Sequence, residues 1–323
     1  MKYIPLKMEP VFKDYLWGGE RLKTEFGKQS DMSILAESWE LACHPDGCSH
    51  FAAVASEYAG KDLNELGRLD KEGFWGRDCW GEDFPVLVKL IDAKEDLSIQ
   101  VHPSDWTAIG PLGEQGKAEM WYVVDAEPHS FIYYGFSRDI AEAEFLRRAA
   151  EGSICEVLNK VPVHKGDVFY ILPGTIHAIG AGLVIAEIQQ SSNTTFRVYD
   201  YLRRDKGGNL RPLHLSRAAA VADFRAVVPA DCKANSRGIF PEFEMVEMFV
   251  CRYFRAFRLD VRGHAAMCSD GRSFQHLLCV EGRGVIRQGG VDYVFARGDS
   301  YFIPAAMGEY VVDGECRMLL SRI

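Results

Sequence analysis

The chain has 323 residues, more than one hydrophobic core usually fills, so we expect two domains or one domain with a large insertion. Its 47% hydrophobic and 26% charged residues are typical of a globular protein, neither disordered nor membrane-embedded. The 37 basic and 46 acidic side chains give a net charge of −9, which argues against a nucleic-acid partner. A small anion is not excluded, because a few local cations can reverse the field inside one pocket.

The compartment is predicted from the N-terminus and the cysteines. Residues Met1–Lys7 contain no apolar segment of the signal-peptide kind, and no run approaches the roughly 18 apolar residues of a spanning helix. The nine cysteines are odd in number and scattered, with no Cys-x-x-Cys pair, as expected for reduced thiols. We therefore predict a cytoplasmic protein with no membrane partner.

Strand patterns dominate the chain, as short runs of Val, Ile, Phe and Tyr bounded by Gly, Asp and Pro. Helical patterns are few and fall at Leu63–Leu69, Asp139–Ala150 and Leu215–Phe224, the second with a stop at Gly152. The predicted strands, in chain order, are Phe84–Ile91, Ser98–His102, Glu119–Val124, Ser130–Tyr134, Val168–Leu172, Val184–Gln189 and Thr194–Tyr199. The prediction is a mainly β fold with a few helical insertions.

One pattern occurs twice: a Gly-Asp turn, an apolar strand and a proline. The first copy runs from Gly166 to Pro173, and the second from Gly298 to Pro304. An internal repeat of this kind indicates a duplicated β-sandwich unit. Only the first copy continues to a histidine, His177, so only that copy easily holds a metal.

A set of polar residues on three predicted strands indicates a metal site. Gln100 and His102 are two residues apart on one strand, so their side chains share a face. Glu119 begins the next strand, and His177 follows the third. Imidazole and carboxylate ligands on a β scaffold are typical of a divalent-metal site. These spacings are not a local metal motif, so a core histidine at 102 and a surface carboxylate at 119 remain the alternative.

The segment Ala186–Tyr201 is the other polar cluster. Its length is typical of a solvated hairpin loop, yet it lies between two predicted strands and carries Glu187 and Arg197. Arg203 and Arg204 follow as a pair of surface type. The chain has no Gly-rich phosphate loop and no Gly-x-Ser-x-Gly elbow, which disfavours nucleotide chemistry and serine-hydrolase chemistry.

Several ordered motifs lie between Tyr15 and Arg204. They are YLWGGERLK, ESWELACHP, LSIQVHPSD, GKAEMWYV and GTIHAIGAGLVIAEIQQSSNTTFRVYDYLRR. Together they resemble the motifs of class I mannose-6-phosphate isomerases of the short bacterial type, and the C-terminal third is less similar. The resemblance implies two cupin domains, which are jelly-roll β-sandwiches. We assign residues 1–235 to a catalytic cupin with helical insertions and 236–323 to a degenerate cupin without metal ligands, joined by a linker near Pro229–Gly238.

The resemblance also implies one divalent metal per chain, usually zinc, in the catalytic domain. The family's metal positions fall on His102, Glu119 and His177, with Gln100 as a less secure fourth ligand. Positions of substrate binding or catalysis fall on Lys117, Glu187 and Arg197.

From the chemistry of aldose–ketose isomerisation we assign Arg197 to the charge of the enediolate and Glu187 to proton transfer, with a metal-bound water or a histidine as alternatives for the base. Lys117 and Arg203 are assigned to the phosphate. Asn193, which we place with the substrate-binding residues, departs from the family, which often has Asp there. An Asn cannot take a proton.

The predicted function is a zinc-dependent isomerase that interconverts mannose 6-phosphate and fructose 6-phosphate through an enediol(ate). The expected partner is a small sugar phosphate, and the oligomeric state is left open. Two alternatives remain at this point. One is a non-catalytic sugar-phosphate-binding cupin, which Asn193 favours, and the other is a metal-cupin isomerase of altered substrate.

Overall fold

The computed structural model describes residues 2–53, 57–107, 115–205, 207–229 and 236–323. The strands are β1 (Leu6–Glu9), β2 (Val11–Lys13), β3 (Glu37–Leu41), β4 (Cys43–His44), β5 (Gly47–Cys48), β6 (His50–Phe51), β7 (Val86–Ala93), β8 (Ile99–Val101), β9 (Glu119–Ala126), β10 (Phe131–Phe136), β11 (Leu158–Pro162), β12 (Val168–Ile171), β13 (His177–Ile179), β14 (Leu183–Gln190), β15 (Phe196–Tyr199), β16 (Ser236–Ile239), β17 (Phe243–Val250), β18 (Arg255–Ser269), β19 (Gln275–Gln288), β20 (Val291–Ala296), β21 (Ser300–Ile303) and β22 (Gly308–Arg322). The helices are α1 (Arg21–Thr24), α2 (Leu63–Phe74), α3 (Glu142–Glu151) and α4 (Leu215–Val221), with a 3-10 turn at Ile154–Val157. The predicted mainly β class is confirmed.

Two antiparallel sheets form a sandwich from strands between Val11 and Tyr199. One sheet has the order β12-β9-β14-β7-β3-β2, and the other has the order β11-β10-β13-β8-β15. An apolar core lies between them and includes Trp121 and Ile185 from the first sheet and Ile132 and Ile179 from the second. The inner faces of both sheets therefore bury their side chains against each other, as in other aligned sandwiches.

The C-terminal strands form a third sheet, in the order β16-β17-β18-β22-β19-β21-β1-β6, with β20 paired to β19. Strand β1 joins it by pairing Leu6 with Phe302, so the beginning of the chain lies among the C-terminal strands. The linker prediction falls partly on residues 230–235, outside the described ranges, and its end forms β16. The domain boundary at 235 stays a prediction.

The β9, β7 and β14 strands are buried on both faces. Their odd-numbered residues, such as Trp121, face the sandwich core, whereas Met120 and Ile188 pack with Leu278 and Phe302 of the C-terminal sheet. Strands that are covered on both faces have nearly continuous runs of apolar residues, which explains why these strands were predicted from the sequence. A charged side chain on such a strand is therefore held away from water.

The three predicted helices exist, with different bounds. Helix α2 extends to Phe74, and it begins with a capping box in which Asp62 accepts from the Glu65 amide. Helix α3 begins at Glu142 because the preceding residue, Ala141, has an extended backbone with φ of −84° and ψ of 151°. It ends as predicted at Gly152, whose φ of 76° suits glycine. Among the described residues, no helix has the length and apolar character needed to cross a bilayer.

Candidate metal centre and adjoining cavity

Three predicted ligands meet between the two sheets of the sandwich. His102 follows β8, His177 begins β13 and Glu119 begins β9 of the opposite sheet. Nε2 of His102 lies 3.2 Å from Oε1 of Glu119, and Nε2 of His177 lies 3.9 Å from Oε2. All three are at most 1% exposed, and their ligand atoms lie within 4.8 Å of one another.

Main-chain carbonyls fix both imidazole tautomers. Nδ1 of His102 is 2.9 Å from Thr194 O, and Nδ1 of His177 is 2.9 Å from Thr175 O. A carbonyl only accepts, so each Nδ1 carries the hydrogen and each Nε2 presents a lone pair toward Glu119. This is the orientation in which histidine ligates a metal while its other nitrogen is held.

The charge balance of this group also fits a cation. Burial, with Lys117 nearby, lowers the pKa of His102 to about 3, which keeps the ring neutral. Nε2 of His102 and Oε1 of Glu119 make no hydrogen bond within the described residues. The Lys117 ammonium, 3.2 Å from Oε1, offsets part of the carboxylate charge, and a cation bound between the two acceptors would remove their remaining repulsion. Two imidazoles and a carboxylate are the donor set of a zinc-type centre.

Gln100 lies beside the three ligands. It pairs with His177 across β8 and β13, and its Nε2 is 3.5 Å from the imidazole Nε2. Its Oε1 accepts from the Ser98 hydroxyl at 3.3 Å. The side chain is therefore close enough to join the group, and its role as a fourth ligand stays a prediction.

Two buried lysines lie next to this group. Nζ of Lys117 is 3.2 Å from Oε1 of Glu119. Nζ of Lys89, on β7, lies 3.3 Å from Glu187 and 3.7 Å from Glu37. Burial disfavours the charged form of Lys89, but the two carboxylates outweigh that cost and raise its pKa. Neither Lys89 nor Glu37 was predicted from the sequence, although the charge of Lys89 inside an apolar β-strand was a signal.

Glu187 is held by the indole of Trp121. The indole Nε1 donates to Oε2 of Glu187 at 3.0 Å and also lies 3.2 Å from Oε2 of Glu119. Burial, followed by the charge of Glu119, raises the pKa of Glu187 to about 7. A carboxyl group with a pKa near neutrality can both accept and return a proton.

A cavity of about 240 Å³ adjoins the three-ligand group. Its walls include four cationic side chains, Lys89, Lys117, Arg197 and Arg211, and also Asn193. The other lining residues are Tyr15, Trp17, Glu37, Ile91, Leu97, Ser98, Gln100, Trp121, Ile179, Glu187 and Thr195. Such a mixture of cations and aromatic rings suits a small anionic molecule.

The segment Ala186–Tyr201 is a wall of this cavity rather than a hairpin loop. It leaves β14 in one sheet and enters β15 in the other, which brings Glu187 and Arg197 to the same space. Arg197 pairs with Gln100 across β15 and β8, and its Nη1 donates to Pro212 O at 3.0 Å.

The two arginines that follow this segment differ in position. Arg203 is not among the lining residues, since its guanidinium donates to Asp96 O at 2.6 Å and forms an ion pair with Asp200. Arg211, which the sequence analysis did not single out, does line the cavity and lies 3.4 Å from Asp200. The predicted role of Arg203 thus gains no support from its position.

A second group that could hold a metal lies outside this cavity. It consists of Cys43, Cys48 and Asp62, with the two sulfurs 3.6 Å apart. Asp62 already caps α2, and burial raises the pKa of the Cys43 thiol, which disfavours the thiolate that metals bind. The eight cysteines within the described ranges are all free.

Comparisons with known proteins identify the family of the chain. The family model of the phosphomannose isomerase type I catalytic domain matches residues 6–118, and that of the mannose-6-phosphate isomerase cupin domain matches 245–323. The chain is 33% identical to mannose-6-phosphate isomerase ManA of Bacillus subtilis over 99% of both chains. It is 32% identical to mannose-6-phosphate isomerase of Streptococcus mutans over 98% of both.

A solved structure gives the same result for the fold. The crystal structure of mannose 6-phosphate isomerase from Bacillus subtilis superposes with a TM-score of 0.91 at 33% identity, covering 99% of each chain. Similarity of sequence and of fold thus extends over the whole length. The chain belongs to the type I mannose-6-phosphate isomerase family of enzymes, as its motifs predicted.

Proposed function

We propose that this protein is a zinc-dependent aldose–ketose isomerase that interconverts mannose 6-phosphate and fructose 6-phosphate through an enediol(ate). The observation that carries the proposal is the pair of imidazole lone pairs directed at Glu119 beside a cavity lined by cations. The names of the full-length relatives support the choice of substrate.

His102, Glu119 and His177 would hold the zinc ion, with Gln100 as a candidate fourth ligand. A bound Zn²⁺ with an open position supplies a Lewis acid that binds sugar oxygens and stabilises negative charge. The carbonyls of Thr194 and Thr175 keep both imidazoles in the ligating tautomer.

Glu187 is the residue proposed to move the proton between C1 and C2 of the sugar. The Trp121 indole fixes its Oε2, while Oε1 makes no hydrogen bond within the described residues and faces Lys89 at 3.3 Å. With a pKa near 7, it can serve in both directions of a reversible isomerisation. General acid–base catalysis by such a group contributes about 10²–10⁴-fold in rate.

The cavity cations are assigned to the charges of the substrate. Arg197 is assigned to the developing enediolate, because a fixed guanidinium offers two parallel donors to oxygens. Arg211 and Lys117 are assigned to the phosphate, and Arg211 replaces Arg203 in this role because only Arg211 lines the cavity.

A binding protein without turnover is the alternative that Asn193 favoured. Asn193 donates from Nδ2 to Oδ2 of Asp46 at 2.6 Å, so it has a structural partner. Since Glu187 is available as the proton carrier, the absence of a carboxylate at position 193 does not prevent isomerisation.

We also place the reaction in the cytoplasm, a choice supported by the free thiols of the described cysteines.

A coupled assay tests the proposal by following conversion of mannose 6-phosphate to fructose 6-phosphate, with and without a chelator. Wild type and His164→Ala, a control at an exposed histidine, should show chelator-sensitive activity, and His177→Ala should show none. Activity that survives both the chelator and His177→Ala would remove the metal mechanism. Binding of zinc and sugar phosphate without conversion would favour the non-catalytic alternative.

A further inference from the structure

A hydrogen-bonded network lies behind the cavity wall and starts at Asp105, three residues after His102. Oδ1 of Asp105 accepts from the Gly116 amide at 2.9 Å and from Nε2 of Gln190 at 3.0 Å. Its Oδ2 accepts from the Tyr253 hydroxyl at 2.8 Å. One carboxylate thus joins three segments that are distant in sequence.

Gln190 passes this connection to the residues of the metal centre. Its side-chain Oε1 accepts from the backbone N–H of Ala118 at 3.0 Å, and its backbone N–H donates to Ala118 O at 3.2 Å. Both residues are at most 1% exposed. Ala118 lies between Lys117 and Glu119, so Gln190 holds the main chain that carries both of these side chains.

Gly116 allows the two segments to approach each other. A Cβ atom at this position would lie 2.4 Å from the Asp105 amide nitrogen, closer than any side chain permits. The main chain just before Lys117 is therefore packed directly against the main chain just after His102. Small displacements at Asp105 are transmitted to both segments.

Tyr253 comes from the turn between β17 and β18 of the C-terminal sheet. Burial raises its pKa to about 12, so its hydroxyl keeps its hydrogen and donates it. Burial alone would raise the pKa of Asp105, but the donors of Gln190 and Tyr253 lower it, so the group is a carboxylate at neutral pH. The contact is a charge-assisted hydrogen bond between the two halves of the chain.

We propose that Tyr253, Asp105 and Gln190 form a positioning network through which the C-terminal sheet sets the geometry of Lys117 and Glu119. None of the three is among the cavity-lining residues within the described ranges, so they act through others. His102, Glu119 and His177 all come from the two-sheet sandwich, and through the network the C-terminal sheet also influences the geometry of this group. The inference rests on the proposed function, because it takes Glu119 as a zinc ligand.

Zinc affinity of the full chain, measured by competition with a chelating dye, tests the network. Tyr253→Phe removes a single hydroxyl, and we expect zinc binding to weaken about threefold to tenfold; Gln190→Ala should weaken it about tenfold to a hundredfold, the range for residues that orient metal ligands. Tyr301→Phe is the matched control, because its hydroxyl donates to Val294 O at 2.7 Å within the same sheet. It should leave the affinity unchanged.

A double-mutant cycle distinguishes a network from separate structural contacts. Asp105→Ala removes the acceptor for Gly116, Gln190 and Tyr253 together, and it leaves no group that could accept from the Tyr253 hydroxyl or donate to it. Adding Tyr253→Phe to Asp105→Ala should therefore cause no further loss of zinc affinity or of kcat. Thermal unfolding of each variant measures its stability. If the three residues had a purely structural role, their replacement would lower the thermal midpoint but would leave the zinc affinity unchanged at temperatures where the chain is folded.

Two results would overturn the network. One is wild-type zinc affinity and kcat in Tyr253→Phe, and the other is fully additive losses in the double mutant. Zinc binding that responds as expected, without sugar-phosphate conversion, would refute the proposed function and leave the network supported. Absence of zinc binding in the wild type would overturn both.

Discussion

The hydrogen bond between Asn193 and Asp46 predicts the effect of restoring the carboxylate that the family often has at this position. At present Nδ2 of Asn193 donates to Oδ2 of Asp46 at 2.6 Å. Asn193→Asp would replace this donor with a second carboxylate that faces the carboxylate of Asp46. Two hydrogen bonds hold the main chain of this turn. The backbone N–H of Asp46 donates to His44 Nδ1 at 3.1 Å, and the Lys13 ammonium donates to Asp46 O at 2.6 Å. The two groups therefore cannot easily separate.

The magnitude follows from the exposure of the pair. A hydrogen bond to a charged group contributes about 1.5–3 kcal/mol when sheltered, and two like charges 4 Å apart repel by about 1 kcal/mol in water. The Asp46 side chain is 56% exposed, so solvent reduces both contributions. We expect Asn193→Asp to lower the free energy of unfolding by about 1–2 kcal/mol.

Urea unfolding at several pH values checks this expectation. A carboxyl group added beside Asp46 has a higher pKa in the folded state than in the unfolded chain. The loss of stability should therefore be complete at neutral pH and should disappear as the pH falls through that raised pKa. The double variant Asp46→Asn with Asn193→Asp restores one donor and one acceptor and should recover most of the loss.

The reasoning is refuted if Asn193→Asp is as stable as wild type at neutral pH, or if Asp46→Asn fails to rescue it. The variant also tests whether position 193 supplies the catalytic base. Because Glu187 is proposed to carry the proton, we expect no gain in kcat from Asn193→Asp. A large gain would assign the base to position 193 instead.

Three further predictions concern the site. Arg211→Ala should raise the KM for mannose 6-phosphate at least tenfold, because a phosphate contact to a guanidinium is worth more than 1.4 kcal/mol. Arg203→Ala should change KM little, but it should lower the stability of the fold because Asp200 loses one of its two arginine partners. Lys89→Met should lower the free energy of unfolding by about 3–5 kcal/mol, since it leaves the Glu187 carboxylate buried without its cation; urea unfolding measures this. Removing zinc with a chelator should lower the thermal midpoint, and zinc at a hundred times its Kd should add about 2.7 kcal/mol of stability.

The grouping of the predicted ligands was predictable because they lie in ordered motifs that resemble those of a known family, on segments of strong apolar character. His102, Glu119 and His177 each lie at the end or start of such a strand, where alternation assigns the face. Lys89 was missed because its strand was read for its apolar residues alone. The interior charge in Val-Leu-Val-Lys-Leu-Ile was itself the signal, since a buried lysine requires buried carboxylates.

Other features had no local signal. Arg203 is in the last motif and Arg211 follows Arg203 by eight residues, and only the fold shows that Arg203 is bound to Asp200 outside the cavity whereas Arg211 lines it. The contact of Asp105 with Tyr253 joins residues 148 positions apart, both of them in segments between strands. Pairings of this kind depend on how the sheets pack, which periodicity within one strand does not specify.

The packing of the third sheet also explains the electrostatics of the site. On β9 and β14, Glu119 and Glu187 face the sandwich interior, while Met120 and Ile188 face the C-terminal core. If the outer face of these strands were open to water, only the single layer of this sheet would separate the two carboxylates from solvent on that side. The C-terminal sheet covers that face, so burial can raise the pKa of Glu187 toward neutrality. A sheet that supplies none of the predicted metal ligands within the described residues thus helps to bury the carboxyl group that we propose as the proton carrier.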